Sequence, residues 1–188
     1  MTRPRGRPSE GEGVTREAIL ATALSLLDEG GGQGLTLRAL ATRLGVTPMS
    51  LYHHVGDYAG LLRALSDRVY AQAFAGVSKS ADPRVEIRDL LTRYYLAVGR
   101  HPQLTLAIFA TPEALAGTTR QITDRLATLL AAVTLEPVLW RDILIDHAHG
   151  SGLALCSARG EKAHVEALQE LYQLALDRLL NQLSAASR

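Results

Sequence analysis

The chain of 188 residues has one cysteine, one tryptophan and two phenylalanines, and aromatic residues make up only 5% of it. A single thiol, Cys156, excludes an intramolecular disulfide framework and fits a reducing compartment, so a cytoplasmic protein is expected. With so few aromatics the core must be built from leucine and alanine, which favours packed helices over sheets. No uninterrupted apolar run approaches the roughly 18 residues that a membrane span needs. The N-terminus has arginines but no apolar stretch behind them, so a signal peptide is not expected. Alternating polar and apolar runs bounded by turn residues are also missing, and no strands are expected. Phosphate-binding glycine loops, zinc-ligand spacings and nucleophile elbows do not occur, so the reading is of a non-enzyme without cofactor or metal. Excess charge is absent too. Twenty Lys and Arg against nineteen Asp and Glu leave a net +1, yet Arg3, Arg5 and Arg7 stand in the first eight residues with no acid among them.

What is present is a pair of short capped helices in residues 35–55. Thr36 is placed to cap the first, whose Leu37, Leu40, Ala41 and Leu44 follow helical spacing. Gly45 ends it, Thr47 caps the second, and Pro48 fits the first helical position, where an N–H would lack a partner anyway. Leu35 with Leu40, and Val46 with Leu51, form hydrophobic staples. Two stapled helices joined by so short a turn cross steeply, as in a helix-turn-helix. Leu51 and Val55 turn inward. Pro48, Met49, Ser50, Tyr52, His53 and His54 are left outward, a face that suits a DNA major groove.

Around this pair, a helix capped by Thr15 buries Ile19, Ala23, Leu26 and Leu27, with Val14 as its staple and Gly30-Gly31-Gly32 as its stop. Asp57 caps a long helix carrying Tyr58, Leu61, Leu62, Leu65 and Val69. Asp82-Pro83 and Thr111-Pro112-Glu113 read as capped helix starts, and His101-Pro102 and Glu136-Pro137 as breaks. Ile87, Leu91, Tyr94 and Val98 form one stripe. Leu115, Ile122, Leu126, Leu129, Leu130 and Val133 form another. Two last helices are expected over 137–158 and 161–184. The small residues Gly150, Ser151, Gly152 and Ala154 permit close helix approach. Val165, Leu168, Leu171, Tyr172, Ala175, Leu176, Leu179 and Leu183 form a face wide enough to pair with a second copy.

The fold class is therefore all-α: a disordered basic arm (1–13), a three-helix domain containing the helix-turn-helix (14–56) and a helical domain (57–188) with a dimerisation face. Arg5-Gly6-Arg7-Pro8 resembles the core of an AT-hook, whose arginines enter a narrow minor groove; the other reading of this arm is a solvated tail.

Residues 15 to about 65 resemble the N-terminal domain of the TetR family of transcriptional repressors. The resemblance rests on the capped first helix, Leu-Thr-Leu-Arg-Ala-Leu-Ala, Leu44-Gly45-Val46, and Ser50-Leu51-Tyr52-His53-His54-Val55 leading to Asp57 and Leu61-Leu62. Val55 brings it nearest the tetracycline-repressor branch. The resemblance implies a homodimer whose paired heads bind a double-stranded DNA operator and are released by a small-molecule effector. It assigns base reading to Arg38, backbone contact to Thr36, and the recognition helix to Pro48, Met49, Ser50, Tyr52, His53 and His54. Tyr58 stands where the family commonly has a lysine, so that phosphate contact loses its charge. With Thr47, Arg5 and Arg7 these are the expected DNA-binding residues. Tyr94, Tyr95, Phe109, Gln121, Trp140 and His147 are the candidates for an apolar effector cavity with polar anchors.

Two other readings compete. A helical adaptor would bind protein and select no DNA sequence. A thiol-dependent enzyme would use Cys156 with His147 or His149, but residues two apart on a helix point about 200° apart, and His149 lies two turns from Cys156.

Overall fold

The structure, a computed structural model, describes residues 13–30, 34–158 and 160–183. Among them the order is α1 (Arg16–Gly30), α2 (Leu37–Leu44), α3 (Pro48–Val55), α4 (Tyr58–Ala75), α5 (Pro83–Arg100), α6 (Pro102–Phe109), a 3-10 turn (Pro112–Ala114), α7 (Thr118–Leu130), α8 (Pro137–Ala154) and α9 (Lys162–Asn181). No strand occurs among the described residues, and the all-α expectation holds. Arg3, Arg5 and Arg7, with Gly31 and Gly32 of the expected helix stop, lie outside them.

Local chemistry starts the N-terminal helices where the caps stand. The Thr15 hydroxyl accepts from the Ala18 amide at 3.1 Å, and the Asp57 carboxylate accepts from the Gly60 amide at 2.7 Å. The α1 stripe of Ile19, Leu20, Ala23 and Leu27 is buried with Leu40 and Ala41 of α2 and Leu51 and Val55 of α3. Leu61, Leu62 and Leu65 of α4 complete this core, so the first turns of α4 belong to the head while its remainder runs into the larger helical body.

That body is built around α5, which packs on α4, α7, α8 and α9. Ile87, Leu90, Leu91, Tyr95 and Val98 are all at most 1% exposed. Of the small-residue stretch of α8, Gly152 serves this contact, whereas Gly150 faces open space and Ala154 is exposed. A Cβ on Gly152 would lie 2.7 Å from Val98 Cγ1 and 3.0 Å from the Tyr95 carbonyl oxygen, so only glycine lets the two helices come this close. Polar ties reinforce the packing. The Arg125 guanidinium of α7 grips Glu86 of α5 through Nε at 2.8 Å and Nη2 at 2.5 Å. The Tyr172 hydroxyl of α9 donates to the Leu91 carbonyl at 3.0 Å, and Arg88 pairs with Asp177.

Three expectations are corrected. Thr111-Pro112-Glu113 does not start a long helix: it makes one 3-10 turn without a side-chain cap, and α7 begins only after Gly117, whose φ of 62° no helix continues through. Leu115, assigned to the α7 stripe, consequently lies before the helix and is 49% exposed. The last two helices end short of 158 and 184, at Ala154 and Asn181; the Ser157 hydroxyl donates to the Ala154 carbonyl at 2.7 Å and takes up one of the end carbonyls of α8. On α9, Tyr172 and Leu176 are buried within the chain, as is Leu183 just beyond its end, leaving Leu171 at 61% and Leu174 at 51% exposure.

Candidate DNA-reading surface and effector cavity

The outward face of α3 is set by its caps and its buried side. Thr36 accepts from the Ala39 amide at 3.0 Å, Gly45 closes α2 at φ 67°, and Thr47 accepts from the Ser50 amide at 3.3 Å. Leu51 is fully buried and Val55 nearly so. Those two positions leave Pro48, Met49, Tyr52, His53 and His54 exposed. Ser50 is half-buried, and its hydroxyl lies 3.0 Å from that of Thr47, so it is partly committed to the cap. No carboxylate occurs between Pro48 and Val55. That absence suits a polyanionic partner.

On α2, Arg38 is exposed, and no salt bridge to it occurs among the described residues. Arg43, by contrast, is held by Glu29 at 2.8 Å; that hydrogen bond lowers the pKa of the Glu29 carboxyl and raises that of the guanidinium. Tyr58 is half-buried at the start of α4, and burial pushes its hydroxyl pKa up, so the group stays protonated and able to donate.

The family profile described as bacterial regulatory proteins, tetR family, matches residues 19–65, which run from the buried face of α1 through α3 into α4. The head belongs to the tetR family. Within it, the chain is 50% identical over 54 residues to the tetracycline repressor protein class C of Escherichia coli, a match covering 29% of this chain and 25% of that protein. Across the curated relatives the matched stretch spans between a quarter and a half of their length. The solved structures extend the likeness of fold beyond the tetR-family head. A TetR variant from Acinetobacter baumannii AYE in complex with minocycline superposes with a TM-score of 0.71 at 22% identity, over 89% of this chain and 95% of that one. BioQ with its double-stranded DNA operator superposes with a TM-score of 0.69 at 24% identity, over 92% and 99%.

Behind the tetR-family head, α4 to α8 line a half-open cavity of about 500 Å³. Ile108, Leu115, Ile122 and Ile145 supply apolar walls, and Tyr70, Tyr94, His149 and Phe109 form a run of rings. Neighbouring centroids in the run are 5.2, 5.3 and 4.8 Å apart, in tilted or edge-on contacts. The polar atoms inside are paired: Tyr70 with Thr105 at 2.8 Å, and Tyr94 with His149 Nε2 at 2.6 Å. Burial raises the Tyr70 pKa to about 12 and that of Tyr94 further, while it lowers the His149 pKa. The inner wall is therefore neutral near pH 7. Charge is confined to Arg120, Asp124, Arg141 and Asp142, the last two paired at 2.8 Å.

Of the six residues expected to line a cavity, Tyr94 and Phe109 do so. Tyr95 stacks on Tyr172 with ring centroids 3.8 Å apart, and His147 also stacks on Tyr172 at 5.1 Å, which places both in the packing of α5, α8 and α9. Gln121 is exposed on α7, and Trp140 is half-buried on α8 outside the lining. The helical period explains His147 and His149. A step of two residues turns one ring toward α9 and the other into the cavity. The signal was in the spacing; which of the two faced inward was not. Tyr70 was missed because nothing local marks where α4 leaves the head. Cys156 is half-buried beyond the end of α8, and no group of three or more His, Cys, Asp or Glu side chains converges among the described residues.

The lowered His149 pKa carries a testable consequence. The unfolded chain takes up this proton near the ordinary value of 6.5, and the native state only at lower pH. Stability should therefore be full above that value, fall as pH drops toward the native pKa, and level off below it. The His149→Asn variant should lose this component of the stability–pH curve, and the His149 resonance should titrate with a midpoint below 6.5.

Proposed function

We propose that the protein is a dimeric, ligand-responsive transcriptional repressor. The observation that carries this reading is the acid-free outward face of α3, held by two threonine caps on a tetR-family head. In this reading Tyr52, His53, His54 and Tyr58 contact backbone, Arg38 reads a base edge, and Met49 and Pro48 make apolar contact with thymine methyl groups. Thr36, Thr47 and Ser50 complete the surface. The boundary between head and body then falls within α4: the head is 14–56 together with the first turns of α4, and the body is the remainder of 57–188. The protein acts in the cytoplasm, where its DNA is; no described helix is long and apolar enough to cross a membrane.

Dimerisation is supported by the apolar side chains left in solvent. Leu135, Val138, Leu139, Ile143, Leu171 and Leu174 are large and exposed around the first half of α8 and the middle of α9. A two-fold pairing of α8 and α9 covers them as a four-helix contact. The two copies of α3 must then sit one DNA turn apart, about 34–36 Å, on a pseudo-palindromic operator. An effector in the 500 Å³ cavity releases the DNA by favouring another head separation. A near-complete switch requires about 10⁴-fold preference for that state.

Selection of binding sites from random duplexes tests DNA binding, symmetry and half-site together. A palindromic consensus with half-sites one turn apart is expected; no enrichment would leave the adaptor reading. The arm adds a second test. Deleting residues 2–8 should weaken operator binding and flatten its salt dependence, each lost phosphate contact lowering the log–log slope by about 0.9. An unchanged slope would make the arm a solvated tail.

A further inference from the structure

The first turn of α7 has no cap of its own. The residue before it is Gly117, which offers no side chain, and the helix would begin with orphan amides. The missing acceptor comes from another helix: Asp67 Oδ1, on α4, accepts from the Thr118 amide at 2.8 Å. The fit is close. A Cβ at Gly117 would stand 2.3 Å from Asp67 Oδ1 and 3.1 Å from its Cγ, and the φ of 62° already favours glycine. Both the turn and the absent side chain thus make room for this one carboxylate, which also faces the positive end of the α7 dipole.

Asp67 has neighbours with the same role. Arg63, one turn earlier on α4, donates through Nη1 to the Glu113 carbonyl of the 3-10 turn at 3.2 Å. Tyr70, one turn later, meets Thr105 of α6 at 2.8 Å inside the cavity. Positions 63, 67 and 70 follow i, i+4, i+7 and lie on one face of α4. That face holds the 3-10 turn, the start of α7 and the cavity floor. The same α7 lends Thr119, Ile122 and Thr123 to the cavity wall, and the other end of α4 begins directly under α3, at Asp57.

We propose that Asp67 is the positioning residue that joins the cavity wall to the DNA-reading head, by capping α7 from α4 so that the two helices shift together. The inference rests on the reading of α3 as the DNA-reading helix. Because coupling between two sites is reciprocal, operator binding at α3 must be felt at the start of α7 even with the cavity empty.

The test is amide hydrogen exchange in residues 119–122, with and without the selected operator duplex, on the full-length protein. In the wild type the operator changes the exchange of these amides. In Asp67→Ala they exchange about fivefold faster, the factor that loss of one helix cap carries, and they no longer respond to operator. Asp67→Asn keeps an acceptor oxygen at the same reach and restores the response. Thr118→Pro removes the donor from the opposite side, at a first-turn position that tolerates proline, and abolishes the response with α4 untouched. It decides the matter if D67A does not fold. A wild-type operator response in D67A or T118P overturns the proposal and leaves Asp67 a structural cap. Failure of the wild type to bind any selected duplex overturns the DNA-reading assignment itself, and is seen before any variant is made.

Discussion

Replacing Tyr52 by alanine should lower operator affinity by about two orders of magnitude while leaving helicity and dimer mass intact. Tyr52 is 48% exposed and stands on the outward face of α3, between the buried Leu51 and His53. Its removal therefore empties no core space. A hydroxyl donating to a charged phosphate contributes about 1.5 kcal/mol net. A two-fold dimer makes the contact in both half-sites, so the loss is about 3 kcal/mol, or roughly 150-fold. The conservative Tyr52→Phe retains the ring and should lose nearly as much if the hydroxyl carries the contact. Fluorescence anisotropy with the selected duplex measures both variants, and circular dichroism checks the fold. Unchanged affinity in Tyr52→Ala would remove α3 as the recognition helix.

Arg125→Met should destabilise the protein by about 2–3 kcal/mol, the cost of taking charged hydrogen bonds from a carboxylate that is itself buried. Glu86 is only 4% exposed, and both its short contacts come from the Arg125 guanidinium. Removing the carboxylate as well should recover most of the loss. In Glu86→Met/Arg125→Met the pair is replaced by two flexible apolar side chains, and such exchanges are often close to neutral. Urea unfolding of the two single variants and the double variant gives the coupling directly. Additive losses would mean that the pair stabilises through each residue's own packing. The pair ties α7 to the central α5, so Arg125→Met should also weaken the cavity wall that α7 provides.

These two residues differ in how far the sequence announces them. Tyr52 is local: Thr47, Pro48, Leu51 and Val55 lie within one short helix, and their spacing decides which way Tyr52 points. The same holds for the caps at Thr15, Thr36 and Asp57, where donor and acceptor are three residues apart. Glu86 and Arg125 are 39 positions apart, and an acid near a helix start reads equally well as a solvated dipole partner. The α7 cap was hidden for the same reason. Thr111-Pro112-Glu113 carries a local start signal, yet the helix begins at Thr118, where the acceptor is Asp67, fifty-one residues away.

The aromatic residues show the limit most clearly. Tyr94 and Tyr95 are adjacent, as His147 and His149 are nearly so, and composition cannot separate the members of either pair. Tertiary packing does. The close contact of α5 and α8 at Gly152 sets the rotation of both helices, sending Tyr94 and His149 into the cavity and Tyr95 and His147 onto Tyr172.

By itself, then, the sequence determined the all-α class, the capped helices of the head and the outward face of α3. Each depends on interactions within one turn of chain, where residue type and spacing specify the geometry. Only the tertiary structure decided where the cavity lies, which rings line it, and how α4 is tied to α7. Those features depend on the rotation of one helix against another, set by packing summed over the whole core and recorded at no single position.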